Sequence, residues 1–482
     1  VGENIVGEID SAVLWGVLAL IHLYGLYRCI SDGRDHQWSG KEPLVASEDQ
    51  SVEDRTEPVG VDVDAVDFFT DSTLVTDPYR YFDALRTQCP VHHIAHPGVV
   101  AVTGYEAAIE VYRDAATYSS CNSVGGPFPP VISPSPEVTD ITDVIDRSRD
   151  QWPFSEFMVT MDGENHEAQR NLLRKLLTPR RLKENEAALA GIADRCIDAF
   201  IGTGRCEVVN EYGKPFTTWA IADLLGVPEE DRAEVQQVLV GSTISVVGQE
   251  ETLPVNPLEF LYQKFGEYVE DRRANPRDDI LTHLASATYE DGSLPEVDAI
   301  VRTATFLFGA GQDTSARMIA AALRFIAEDK QIQQRLREDR GLIPEFIEEV
   351  LRLESPTMSD FRLARVATTL GGVDIAAGTT VMIHPGAANR DDGRFERPTE
   401  CLLGRENVRE HIAFGRGAHS CPGGPLARAE GRVTVERFLD RTSDISISES
   451  RHGPEGQRHF DYDPTFIVRG LGNLHLELTP VD

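Results

Sequence analysis

From about residue 67 onward the apolar positions recur every three to four residues, the period of helices with one buried face. The longest such stretch starts at Pro295 and Glu296 and reaches Glu328 without a breaker. At 1.5 Å per residue it predicts a helix about 50 Å long, enough to cross a whole domain. DPYRYFDALR (Asp77–Arg86) predicts an earlier helix, followed by the strand-like runs VHHI and VVAVTG. GGVDIAAGTTVMI (Gly371–Ile383) and FIVRGLGNLHLEL (Phe466–Leu478) read as short β-hairpins. Ser119–Phe157 breaks the pattern with Pro127, Pro129, Pro130, Pro134 and Pro136. A long irregular segment inside a compact domain is usually disordered or functional. The expected fold is mainly α with small β-sheets.

The first sixty residues differ from the rest. Ala12–Tyr27 is apolar apart from His22, and Glu48–Asp67 is acidic and poor in large apolar groups. The apolar stretch is shorter than the roughly 20 residues that span a bilayer, and no basic residue precedes it as in a secretory signal. We therefore expect residues 1–66 to be an extension on a flexible acidic linker ahead of a domain over 67–482. Membrane contact is expected only through residues 12–27.

Length, charge and cysteines narrow the class. The 482 residues suffice for one large domain or two to three ordinary ones, and 41% hydrophobic content provides a substantial core. A net charge of −33 argues against a nucleic-acid partner, because a polyanion would be repelled. Seven scattered cysteines, an odd number, suit a reducing compartment and hence a cytoplasmic location.

The most specific chemistry lies in HIAFGRGAHSCPGGPLARAE, His411–Glu430. Gly415 and Gly417 permit tight turns that a Cβ would obstruct, and Phe414 offers an aromatic face to a flat macrocycle. Pro425 suits a first helical turn, so Cys421 sits just before a helix N-terminus, where peptide dipoles favour thiolate over thiol. Zinc binding by His411, His419 and Cys421 is disfavoured, since no second cysteine lies at short spacing. Presentation of a thiolate to a haem iron is the better reading.

This segment resembles the haem-binding loop of the cytochrome P450 family, the haem-thiolate monooxygenases. The resemblance covers about 67–482 and implies that this stretch is one catalytic domain. It implies a fold in which haem b (iron protoporphyrin IX) lies between a long central helix and the cysteine loop with its following helix. Cys421 would be the axial ligand, with Phe414 and Gly423 beside it. FGAGQDTSA on the long helix resembles the family's oxygen-activation motif. There Asp313 would feed protons inward and Thr314 would hold the oxygen being activated, its hydroxyl bonded meanwhile to the Ala310 carbonyl. His166, Arg170, Arg365 and His419 match propionate-binding positions. Glu349, Arg352 and Arg405 match a buried structural triad, although Cys401 and Leu402 depart from the family's usual Phe-Asp. Ser119–Phe157 falls where the family keeps its mobile lid. Phe306, Gly309, Phe361, Phe466 and Ile467 fall on pocket positions, implying a hydrophobic substrate of terpenoid, steroid or fatty acyl type. Electrons would come from a separate ferredoxin or flavodoxin, because no phosphate-cradling glycine loop or cysteine cluster marks a built-in redox domain. Arg174, Lys175, Arg416 and Arg428 would form the basic patch that receives it. A peroxide-using enzyme and a non-catalytic haem sensor are the alternatives, and the Asp313–Thr314 pair argues against both.

Overall fold

The computed structural model describes residues 61–128, 131, 132, 134, 137–232, 234, 235, 257–289 and 291–481. The apolar segment at 12–27 lies outside the described residues. Val63 is buried, and Val61 and Val66 pack against the same cluster as Phe68 and Phe82. Residues 61–66, expected to be linker, are therefore part of the packed domain.

The helices that frame the site are α1 (Tyr79–Gln88), α2 (Tyr105–Arg113), α3 (Gly163–Leu176), α4 (Pro179–Asp198), α5 (Lys214–Leu224), α6 (Pro257–Ala274), α7 (Ile280–Ala285), α8 (Val297–Glu328), α9 (Lys330–Glu338), α10 (Ile343–Leu353) and α11 (Gly424–Arg441). The predicted long helix is α8, 32 residues with no break. Its apolar stripe is wide enough to be enclosed by α5, α6 and α11 together, which places it at the centre of the largest core cluster.

The strands are β1 (Val91–His93), β2 (Val99–Val102), β3 (Tyr118–Ser119), β4 (Arg205–Glu207), β5 (Asp360–Ala364), β6 (Thr368–Leu370), β7 (Val373–Ile375), β8 (Thr380–Ile383), β9 (Thr442–Ile447) and β10 (His475–Pro480). They form a five-stranded sheet of order β1-β2-β8-β5-β3, a three-stranded sheet β4-β10-β9 and the β6-β7 pair. VHHI and VVAVTG do pair antiparallel, Val91 opposite Val102.

The other two strand expectations change. The hairpin is β6-β7, with Gly371 and Gly372 at its turn in left-handed conformations (φ 57° and 83°). Thr380–Ile383 leaves it to run parallel to β2 and antiparallel to β5, where all four residues are buried. Phe466–Leu478 is not a hairpin either. Its strand, β10, pairs with β4 and β9, while Val468 makes only an isolated bridge to Thr357.

Candidate functional site

Two elements meet at Cys421. Pro425 lies in the first turn of α11, whose N-cap is Gly423, so the cysteine does precede a helix start. Before it, Gly415 and Gly417 take φ of 62° and 71°. A Cβ on Gly417 would lie 2.2 Å from the Tyr112 carbonyl oxygen, so only glycine fits where the loop crosses α2. The Cys421 N–H donates to the Phe414 carbonyl at 2.8 Å, closing the loop on itself. The thiol group remains exposed. Its pKa is nonetheless raised, because desolvation by nearby protein outweighs the Gly423 N–H, the Arg170 charge, the Gly424 N–H and Arg428. The sequence argument expected local electrostatics to favour the thiolate. In the structure they only offset part of the desolvation, and a bound metal cation would favour the thiolate further.

The cysteine loop is braced from below. Glu349 and Arg352 on α10 are fully buried and joined by two bonds, Nε–Oε2 at 2.8 Å and Nη2–Oε1 at 2.9 Å. Arg405 Nε adds a bond at 3.0 Å to Glu349, and the Leu402 N–H one at 2.9 Å. Leu402 thus ties in through its backbone, whatever its side chain. One residue earlier, a second carboxylate escapes the sequence argument. Glu348 accepts from His411 Nε2 at 2.8 Å and from Arg428 at 2.6 and 3.0 Å. Burial alone would raise this carboxyl, but bonds from His411 and Arg428 hold it down at about 2. Arg428 also lies 4.5 Å over the Phe414 ring. Arg428 is therefore occupied beneath the loop rather than free for a partner. Arg416 likewise donates to the carbonyls of Glu410 and His411, both at 2.9 Å. Of the expected docking cations Arg174 is exposed, and the Lys175 side chain lies outside the described residues.

A cationic cradle lies on the other side of Cys421. His166 and Arg170 stand at i,i+4 on α3, and Arg170 Nη2 donates to the Ser420 carbonyl. The His166 and His419 rings lie against each other, centroids 3.9 Å apart and planes tilted by 34°. Burial, then Arg362, His166 and Arg170, push His419 down to about 2, and burial with Arg170 lowers His166 as well. His166 Nε2 and Arg170 Nε are buried without a hydrogen-bond partner among the described residues. Unpartnered ring and guanidinium nitrogens beside the Arg170 and Arg362 charges form a site suited to an anion.

Arg365 does not join this group. It pairs with Asp162 at 2.6 Å, a carboxylate that also accepts from Ser119. The guanidinium whose charge reaches both His166 and His419 belongs to Arg362, buried on β5. Side chains alternate along an extended chain, so positions three apart face opposite ways. Only the strand's position shows which arginine faces the cradle.

On α8 the Thr314 hydroxyl donates to the Ala310 carbonyl at 2.8 Å, as the sequence predicts. The tight helix contact is at Gly311, where a Cβ would fall 2.6 Å from Ile221 of α5. Gly309 has nothing within 4 Å of its Cβ position, and Ala310 is exposed, so this face is open to a ligand. Asp313 is bonded to Arg317 Nε at 2.7 Å. Phe361 is fully buried among Phe69, Phe466 and Gly126, the last belonging to the irregular Ser119–Phe157 segment. Phe306 packs against Phe157 of that segment, centroids 5.6 Å apart and planes tilted by 40°, and Ile467 accepts through its carbonyl from the Met358 N–H.

These groups suit a flat dianionic macrocycle with a metal at its centre: one thiol below, unpartnered nitrogens at the edge, and a side-chain-poor helix face above. The comparisons with known proteins agree. The Cytochrome P450 family model matches residues 252–443. Cytochrome P450 144 of Mycobacterium tuberculosis is 30% identical over 436 residues, 89% of this chain and 95% of that protein. The structure of cytochrome P450 CYP150A6 of Mycobacterium marinum superposes with a TM-score of 0.82 at 55% identity, covering 87% of this chain and all of that one. CYP109E1 of Bacillus megaterium, solved with corticosterone, gives a TM-score of 0.70 at 27% identity, over 83% of this chain and 98% of its own. The chain belongs to the cytochrome P450 family, and with it to the haem-b monooxygenases.

Proposed function

We propose that this monooxygenase hydroxylates an apolar, polycyclic small molecule of the steroid or terpenoid kind, drawing electrons from a separate ferredoxin or flavodoxin. The observation that carries the substrate reading is the open, side-chain-poor face of α8, where Gly309 has nothing within 4 Å of its Cβ position and Ala310 is exposed, one turn from Phe306. A face of this kind gains from burying rigid apolar surface and offers few hydrogen bonds to a polar substrate. A relative solved with corticosterone supports the same class. Fatty acyl compounds are the competing class.

The overall reaction is R–H + O₂ + two electrons + two protons giving R–OH + water. Haem b, when bound, supplies dioxygen binding and oxygen-atom transfer. Cys421 would hold it through sulfur, Phe414 and Gly423 would flank the ring, and Ala310 would allow close approach from α8. His166, Arg170, Arg362 and His419 would take the propionates, with Arg365 orienting Asp162 behind them. Asp313 would carry protons inward from solvent, leaving Arg317 as it does so. Thr314 would turn its hydroxyl from the Ala310 carbonyl and present that proton at Oγ1.

Titration of the ferric holoprotein with steroids, terpenoids and fatty acids tests the substrate class. A low-to-high-spin shift with steroids or terpenoids at micromolar concentration is expected. A shift with fatty acids alone overturns the polycyclic reading. Loss of the red-shifted carbon-monoxide band in Cys421→Ala checks the ligand.

A further inference from the structure

Arg317 serves two carboxylates with one edge. Its Nε donates to Asp313 Oδ2 at 2.7 Å on its own helix, while Nη2 lies 2.9 Å from Asp463 Oδ2 in the C-terminal segment. Nε and Nη2 form the side of a guanidinium that ordinarily grips a single carboxylate with two parallel bonds. Here that grip is split. The Arg317 side chain is only 9% exposed, and a Cβ on Gly470 would fall 2.4 Å from its Cγ, so the stem packs directly on the backbone of the Asp463 segment. Nη1 is buried with no hydrogen-bond partner among the described residues, so no third group directs the head. The Asp463 segment is itself built: the Asp463 N–H donates to the Gly470 carbonyl at 3.1 Å, and three residues on Phe466 packs at 5.2 Å from Phe69 and 6.0 Å from Phe361.

We propose that Arg317 and Asp463 are positioning residues for Asp313, and that Asp463, by holding half of the guanidinium edge, keeps Asp313 on a single bond from which it is readily released. This rests on the reading of Asp313 as the proton carrier. The same geometry joins the segment bearing Phe466 to the acid on α8. A substrate that presses on Phe466 acts on the competitor for Arg317, and so on the hold over Asp313.

Removing the competitor has a definite consequence. In Asp463→Ala the Arg317 edge closes on Asp313 as a two-point fork. One further charge-assisted bond must then break before each proton is delivered, slowing substrate-supported oxygen consumption about tenfold. Asp463→Glu, which keeps the charge, retains the wild-type rate. The solvent deuterium isotope effect grows in Asp463→Ala and not in Asp463→Glu. A crystal structure of Asp463→Ala, independent of turnover, shows both Nε and Nη2 on Asp313.

A double-mutant cycle separates the two ideas. If Asp463 acts through Asp313, Asp463→Ala changes nothing further in an Asp313→Asn background. An equal slowing in both backgrounds makes Asp463 merely structural and overturns the coupling, leaving the proton-carrier reading intact. No effect of Asp313→Asn alone overturns both. Should Asp463→Ala fail to fold, Asp463→Asn and Asp463→Glu carry the cycle, and equal rates in those two remove the proposal.

Discussion

At the scale of single residues, the site depends on where a few hydrogen bonds go. Thr314 now spends its hydroxyl on Ala310, so Thr314→Ala leaves α8 intact but removes the donor. Oxygen consumption should persist while most of it ends as hydrogen peroxide, measured against product formed. Asp313→Asn should instead slow consumption itself, by about a hundredfold if the carboxyl acts as general acid. Pro422 has no N–H, so the backbone donors that favour the thiolate are, among the described residues, those of Gly423 and Gly424. Pro422→Leu adds a donor, draws charge from the thiolate and should raise the reduction potential in potentiometry; an unchanged value would mean the proline only stiffens the loop. Much of this was legible because the loop and the α8 motif are contiguous in sequence. Arg362 was not, since choosing it over Arg365 requires the direction in which β5 presents each side chain. Nor was the fate of Arg428, whose partner Glu348 lies 80 residues away.

Elements were legible in proportion to how local their bonding is. α8 satisfies its own backbone, so periodicity was enough to find it. Strands borrow their partners: Thr380–Ile383 binds β2, some 280 residues earlier, and no turn signal near Gly371 could reveal that. The junction of α10, α11 and the cysteine loop carries a pH-dependent consequence. Glu348 has its folded pKa depressed to about 2 by His411 and Arg428 against an ordinary value of 4.5. Its contribution is present above that ordinary value and is lost as pH falls through about 2, so the fold should weaken over that window. Glu430, fully buried on α11 with no cation paired to it among the described residues, has the opposite sign. Burial raises it to about 8, so it costs stability as pH climbs from 4.5 through 8. Glu430→Gln should remove that loss, leaving the variant more stable than wild type at pH 9 by a few kcal/mol on the order set by such shifts. Denaturant melts across pH would show both slopes.

On the scale of the whole molecule, an acidic protein must still receive an electron carrier. With Arg416 and Arg428 committed to the loop, and Arg432 paired with Glu186 and Glu436, Arg174 and Arg409 are the exposed candidates among the described residues, Arg409 lying at a recess of about 460 Å³ lined also by Pro344, Ile347 and Pro425. Attraction between exposed charges fades beyond roughly 8 Å at physiological salt. Reduction by an acidic ferredoxin should therefore slow as salt rises, and Arg174→Glu with Arg409→Glu should slow it several-fold at low salt. Rates equal to wild type would move the docking face elsewhere. The three-stranded sheet has a different kind of consequence, one of timing. Arg205 on β4 pairs with Glu477 on β10, so the ribosome must add some 270 residues before β4 meets its neighbour. At 5–20 residues per second that is roughly 15–50 s with a strand edge unpaired in the nascent chain. The enzyme's yield in a cell thus depends on how well chaperones shield that interval, and slow translation of the last third would lower it even if the finished protein were unchanged.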